Sequence, residues 1–206
     1  MEDFKRKNRN ASSPLAEKWL VRKLKSRDPR SFEKVIARYQ TPILNLLYRM
    51  IGVHEEAEDL AQEVFITVFE KIDSFRGESS LATWIYHIAY NLCKNRLRYL
   101  GRRHDRNRQV FDEMAERNVV ESGTMSTSAQ VSRPDEMAEG FEMERLIQDG
   151  ITSLDEEQRV IIVLRDIQNM SYEEISEITG LPAGTVKSRL HRARMTLKEY
   201  LSPYLR

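Results

Sequence analysis

Three sets of side chains carry whatever chemistry this sequence can perform. From near Ala183 to Lys198, a helical wheel at about 100° per residue puts Val186, Leu190, Ala193 and Leu197 on one face. Lys187, Ser188, His191, Arg192, Arg194 and Lys198 are left outside it. Arg189 adds to the same basic run, and no acid occurs between Lys187 and Lys198. Donors and positive charge without a carboxylate suit a DNA major groove, where base-edge acceptors and flanking phosphates both take donors. A plain solvated basic face is the competing reading.

The second set is Trp84, His87, Asn91, Lys94 and Arg98, at i, i+3, i+7, i+10 and i+14, with Tyr90 beside them. Leu81, Ile85, Ile88 and Leu92 take the opposite side. Aromatic rings interleaved with an amide and cations are what unpaired bases and a phosphate track require, with stacking at ~1–3 kcal/mol per base. Trp84 as an ordinary core aromatic is the alternative. The third set is Glu56, Asp59, Glu63, Ile66 and Glu70, with Gln62 adjacent, an outward acidic stripe that includes an isoleucine. Carboxylates do not seek DNA. The stripe reads as a docking surface for a basic protein, against the alternative that single exposed aliphatics are common.

Catalytic chemistry finds little support. His54, His87, His104 and His191 are scattered, no two of them three or four residues apart, so no helix presents a histidine pair to a metal. There is no glycine-rich phosphate loop, and Cys93 has no histidine on its helical face, which predicts a buried, inert thiol. No catalytic residue, metal or cofactor is expected.

These sets must be positioned by helices. The chain has 206 residues, 32% of them charged, with only 8 glycines and 6 prolines, a composition poor in breakers. That length predicts two small domains, each marginal alone and inclined to lean on neighbours. The net charge of +1 conceals segregation: Lys94 to Arg108 is strongly basic with Asp105 its one acid, whereas Gln109 to Gly140 is acidic. A basic block points to polyanions. The longest aliphatic run, Val160 to Leu164, is far short of the ~18 residues of a membrane span, so no stable membrane insertion is expected. Met1 to Asn10 is basic with no apolar stretch behind it, unlike a signal peptide, and the single cysteine excludes a disulfide framework. The expected location is cytoplasmic.

Leu15 to Leu24 reads as a short helix, and Asp28-Pro29 as the cap and first turn of a longer one that ends at Gly52, with Pro42 expected to kink or split it near Thr41. A second long helix is predicted from about Glu55 to Ile72, and a third from Leu81 to about Leu100. From His104 to Gly140 the periodicity dissolves through Ser122 to Ser128 and Arg133-Pro134, which predicts a 37-residue flexible linker. Helical spacing returns at Phe141 to Ile151. Ser153 with Glu156, and Ser171 with Glu174, match the capping box and should each open a helix. The segment Ser171 to Lys198, turning through Gly180, Leu181 and Pro182, is a helix-turn-helix pattern. The expected fold is all-α: two small helical domains, 1–103 and 141–206, joined by an acidic flexible linker at 104–140, with the helix-turn-helix in the second.

Three stretches then resemble one family. They are Asp59-Leu60-Ala61-Gln62-Glu63-Val64-Phe65, Phe75-Arg76-Gly77-Glu78-Ser79 followed by Thr83 to Asn91, and Ser171 to Ile175 with Gly184 to Arg194. In this order they closely resemble the extracytoplasmic-function, sigma-E-like group of bacterial RNA polymerase sigma factors. The resemblance implies a dissociable, non-catalytic subunit that binds core RNA polymerase, recognises the −10 and −35 promoter elements and promotes promoter opening. It implies core polymerase contacts through Asp59, Gln62 and Glu63, to which the stripe reading adds Ile66. It implies single-strand −10 contacts through Arg76, Ser80, Trp84, His87, Asn91, Lys94 and Arg98. Lys187, Ser188, His191 and Arg192 match positions that read the −35 element, with Arg189, Arg194 and Lys198 on the DNA backbone. An anti-sigma factor is implied as a partner. Lys5, Arg6, Lys7 and Arg9 of the N-terminal tail have no assigned role.

A linker of that length reaches at most ~120–130 Å fully extended, but its r.m.s. span as a free coil is only ~35 Å. Promoter elements one and a half to two turns apart are separated by ~50–70 Å. The isolated chain is therefore expected to bind promoters weakly, with polymerase holding the linker extended. A stand-alone helix-turn-helix regulator that dimerises on a palindrome is the main rival, though it leaves the Glu56 to Glu70 stripe unexplained. An enzyme acting on nucleic acid is a distant third, since the basic faces lack a carboxylate or metal cluster.

Overall fold

Capping chemistry sets most of the helix ends. The computed structural model describes residues 14–115 and 136–204; the basic N-terminal tail and the centre of the expected linker lie outside the described residues. Helix α1 is Pro14–Lys25. At the start of α2, Pro29–Ile51, the Ser31 N–H donates to Asp28 Oδ2 at 3.0 Å, and Gly52 closes the helix in the left-handed region at φ 82°, its N–H donating to Tyr48 O. Pro42 neither splits nor ends α2, contrary to expectation. It removes one N–H from the ladder, but buried Tyr39, Ile43, Leu46 and Leu47 on either side of it hold the helix through that gap.

Helix α3, His54–Lys71, has no side-chain cap; Glu55 and Glu56 in its first turn meet the positive end of its dipole instead. A 3-10 turn, Ile72–Ser74, leads to α4, Leu81–Ala115. This helix passes well beyond the expected end near Leu100. Between Leu100 and Ala115 the only glycine or proline is the exposed Gly101, and the four arginines of 102–108 are good helix formers.

The second half begins with α5, Glu136–Ser153. Together, α4 and α5 make both ends of the expected linker helical, and 116–135 is the part outside the described residues. Helix α6 is Glu156–Ile162; its cap is Asp155, which accepts from the Gln158 N–H at 2.7 Å, not Ser153. Ser153 instead ends α5 and donates to Gly150 O, so the hydroxyl that looked like a cap is spent on the preceding turn. The apolar run continues as a π turn, Val163–Ile167. Helix α7, Tyr172–Thr179, opens with the full Ser171–Glu174 capping box, and α8 follows at Ala183–Leu201. No strand occurs among the described residues.

Helices α2, α3 and α4 pack around Leu46, Leu60 and Ile85, while α6, α7 and α8 pack around Ile161, Ile175 and Leu190. These two cores are continuous, because α7 lies on α4 while α5 and the π turn lie on α2. Gly150 allows α5 and α8 to approach closely: a Cβ there would stand 2.8 Å from Leu197 Cδ1 and 2.9 Å from Tyr200 Cδ1.

Candidate nucleic-acid interface

The helix-turn-helix is assembled by local rules. The Ser171 hydroxyl accepts from the Glu174 N–H at 3.1 Å, and the Glu174 carboxylate accepts from the Ser171 N–H at 2.8 Å. Gly180 ends α7 at φ 74°, a conformation that favours glycine. The Ser176 hydroxyl donates to Leu181 O at 2.5 Å, fixing the turn. Val186, Leu190 and Ala193 are then buried on Ile175 and Ile178, and Leu197 is half-buried. Lys187, Ser188, His191, Arg192 and Lys198 remain exposed. Among the described residues, no carboxylate pairs with Lys187, His191, Arg192 or Lys198.

Arg189 and Arg194 differ from these. Arg189 is half-buried and pairs with Glu157 of α6. Arg194 donates through Nε and Nη2 to Asp166, at 2.9 and 2.5 Å, and that hydrogen bond raises its guanidinium pKa. Both cations fix the orientation of α8 on the segment before it.

On α4, Ser80 serves as the cap, its hydroxyl accepting from the Thr83 N–H at 3.0 Å. Trp84 is half-buried with its ring 5.2 Å from that of Phe75, a place between the exposed and core readings. His87 and Asn91 are exposed and in contact, Asn91 Nδ2 to His87 Nε2 at 3.2 Å. Lys94 is half-buried, its ammonium 5.9 Å from the Tyr90 ring centroid, and Arg98 is exposed. Arg76 stands out from the loop before α4, 3.9 Å from Glu78. Tyr90, expected beside this face, is buried, which raises the pKa of its hydroxyl. A missed pattern accounts for it: Tyr86, Ala89, Tyr90 and Cys93 follow i, i+3, i+4, i+7 and form a second apolar stripe, all four buried. Cys93 is fully buried, and burial pushes its thiol pKa up to about 12.

The acidic stripe of α3 is divided. Asp59, Gln62 and Glu70 are exposed, and Ile66 is 56% exposed. Glu56 and Glu63 are bridged by Arg96 of α4 at 2.5 and 2.7 Å, a cross-helix clamp that sequence spacing does not show. No helix among the described residues is long and apolar enough to cross a membrane, and no group of three or more His, Cys, Asp or Glu among them could hold a metal ion.

A helix-turn-helix with a free donor face, docked on a helical domain that carries a separate aromatic and cationic face, defines a two-domain DNA-binding transcription protein. Residues 35–103 match Sigma-70 region 2 and residues 144–197 match Sigma-70, region 4. The ECF RNA polymerase sigma-E factor of Haemophilus influenzae is 37% identical over 191 residues, covering 93% of this chain and 98% of that protein. The sigma-E factor of Escherichia coli K12 is 33% identical over 195 residues, covering 95% and 99%. This chain belongs to the ECF RNA polymerase sigma factor family. Among solved structures it is similar to the sigma factor RpoE in complex with the anti-sigma factor NepR from Bartonella quintana, with TM-score 0.57 and 26% identity, covering 84% of this chain and 98% of that one. CnrH in complex with the cytosolic domain of CnrY shares the fold, with TM-score 0.64 and 22% identity over 91% of this chain and 97% of that one.

Proposed function

We propose that this chain is a cytoplasmic, non-catalytic initiation subunit that delivers core RNA polymerase to promoters through three separate surfaces. Asp59, Gln62, Glu63 and Ile66 on α3 form the polymerase-docking face, where carboxylates surround one exposed isoleucine. The loop with Arg76 and the α4 face of Trp84, His87, Asn91, Lys94 and Arg98 take the opened −10 strand, with Ser80 shaping the start of that helix. Helix α8 enters the −35 major groove with Lys187, Ser188, His191 and Arg192 and meets phosphate through Lys198, while Arg189 and Arg194 reach the backbone only by leaving Glu157 and Asp166. Residues 1–103 and 141–206 act as the two promoter-reading domains.

The observation that carries this reading is the α8 donor set: four exposed side chains on the outer face of a capped helix-turn-helix, in a chain of the sigma family. In the docked arrangement α7 lies against α4, whereas promoter elements stand ~50–70 Å apart. On this reading polymerase separates the two docked domains so that they span both elements. A partner of the anti-sigma class, like the one bound to the Bartonella relative, would compete for the same chain.

Reconstituted core polymerase with and without this chain, on a library of genomic promoter fragments, is the test. Initiation at a discrete set of sites that requires the chain supports the reading, and no gain at any site ends it. The dimeric-regulator alternative predicts tight binding to palindromes without polymerase.

A further inference from the structure

Helix α1 lies before the segment matched to Sigma-70 region 2, which begins at residue 35. It nonetheless grips both ends of the loop proposed to take the −10 strand. Glu17 Oε1 accepts from the Leu81 N–H at 2.9 Å, on the first residue of α4. With Ser80 accepting from Thr83 N–H, two of the four orphan donors at that helix start are satisfied, and the carboxylate also meets the positive end of the dipole. At the other end of α1, Lys25 Nζ donates to Phe75 O at 2.8 Å. Arg27, in the left-handed region at φ 59°, pairs with Asp73 at 2.6 Å, donates to Phe69 O, and lies 4.9 Å from the Phe69 ring centroid.

Glu17 and Lys25 are two helical turns and about 12 Å apart along α1. Their partners, Leu81 N and Phe75 O, bracket the segment from Arg76 to Ser80, whose tip is Gly77 at φ 75°. Inside the bracket, Phe75 and Trp84 close the base of the loop, ring against ring. Arg76 and Glu78 at the tip are largely exposed. An exposed tip over fixed ends is the arrangement that lets a short loop meet a flipped or unpaired base without losing conformational entropy on binding.

We infer that Glu17 and Lys25 are positioning residues for −10 recognition: α1 is a clamp that holds the 76–80 loop in its strand-capturing shape without touching DNA. This rests on the proposed −10 role of that loop. The test uses the full chain assembled with core polymerase and a randomised 12-nucleotide single-stranded DNA library between constant flanks. Wild-type holoenzyme should enrich a short motif. The double variant Glu17→Ala, Lys25→Ala should lose about tenfold in enrichment of that motif, the factor associated with charge-assisted hydrogen bonds. Its affinity for core polymerase, its binding to −35 duplex and its helical content should stay close to wild type, while its thermal midpoint falls with the loss of the two internal hydrogen bonds. The conservative pair Glu17→Gln, Lys25→Arg keeps an acceptor and a donor and should recover most of the enrichment.

Unchanged enrichment in the alanine pair overturns the clamp, and so does equal loss in the conservative pair. Arg76→Ala and Asn91→Ala separate the two levels of the argument. If these weaken strand binding while the alanine pair does not alter motif choice, the clamp alone falls; if they leave strand binding intact, the −10 reading falls and takes the clamp with it.

Discussion

The Tyr86 hydroxyl on α4 donates to Gln168 Oε1 at 2.8 Å, joining residues 82 positions apart across the boundary between the two helical domains. Gln168 Nε2 in turn donates to Pro42 O at 3.2 Å, so one side chain ties the turn before the helix-turn-helix to two helices of the other domain. Around it Arg49 donates to Gln148 at 3.0 Å and pairs with Glu144, and Arg159 donates to Met50 O at 2.6 Å. Polar contacts of this kind cross the domain boundary beside the buried stripe's Tyr86 and at the end of α2. They give the docked state a defined register, while their modest net energies leave it separable.

Substituting Gln168 should loosen the docking without unfolding either half. Gln168→Ala removes both hydrogen bonds and leaves the buried Tyr86 hydroxyl unpaired, a loss of about 1–3 kcal/mol in the docked state. Dyes on cysteines placed at the exposed positions Glu70 and Glu177 report the separation by energy transfer. The variant should populate a low-transfer state that the parent does not, at unchanged helical content. Identical transfer distributions would show that Gln168 contributes nothing to the docked state.

Cys93 supplies a second reporter, without labels. Burial raises its thiol pKa from the ordinary 9.0 to about 12, and Glu156 and Arg159 of α6 are the charges facing it. An acid whose folded pKa lies above its unfolded value stays protonated in the fold while the unfolded chain ionises. Its contribution is therefore intact below about pH 9 and is lost as pH rises toward 12, at ~1.4 kcal/mol per unit for a single group. Denaturation midpoints of the parent should fall between pH 9 and 10.5 more steeply than those of Cys93→Ala. Alkylation at pH 8 should be slow in the parent and faster in Gln168→Ala.

Arg159 is the most heavily engaged cation of the second domain. It donates to Leu154 O at 2.9 Å and to Thr152 O, besides Met50 O, and burial lowers its guanidinium pKa without discharging it. Three carbonyls at the ends of α2 and α5 lose their donor in Arg159→Ala. The expected cost is about 2–3 kcal/mol in urea unfolding. Arg159→Lys should recover only part of that, because one ammonium lacks the forked geometry that serves three acceptors. Full recovery by lysine would reduce the contact to simple charge.

The sequence reveals much of this molecule because its helix punctuation is local. Asp28, Gly52, Ser171 and Gly180 act on their own turns, and each does in the structure what its type and position imply. The exposed faces proposed to be functional are legible for a similar reason: on α8, 3.6-residue spacing separates Val186, Leu190 and Ala193 from Lys187, His191 and Arg192 without reference to any other helix. What escapes is whatever depends on a partner far away in the chain. Tyr90 looks like a base-stacking ring until the folded chain buries it. Glu56 and Glu63 look like free docking acids until Arg96 bridges them, and Pro42 looks like a break until its buried neighbours are seen. Ser153 and Asp155 compete for one helix start, and the choice turns on the Gly150 carbonyl that takes the serine.

Arg192 and Lys198 provide the sharpest division between base reading and phosphate contact on α8. Both are exposed, and among the described residues neither is paired with a carboxylate, so substitution disturbs no internal bond. Arg192 lies at the middle of α8, on the exposed face proposed to enter the groove, and its planar fork suits the paired acceptors of a guanine edge. Arg192→Ala holoenzyme should lose ~1–3 kcal/mol at one −35 base pair and become indifferent to its identity. Lys198 lies in the last turn of α8, where the proposed contact is with phosphate. Lys198→Ala should therefore weaken all −35 sequences about equally and lower the salt dependence of binding by about one ion. Competition binding across single-base −35 variants at two salt concentrations reads both quantities. A uniform loss in Arg192→Ala would move that residue to the phosphate class, leaving Lys187, Ser188 and His191 to carry the sequence preference.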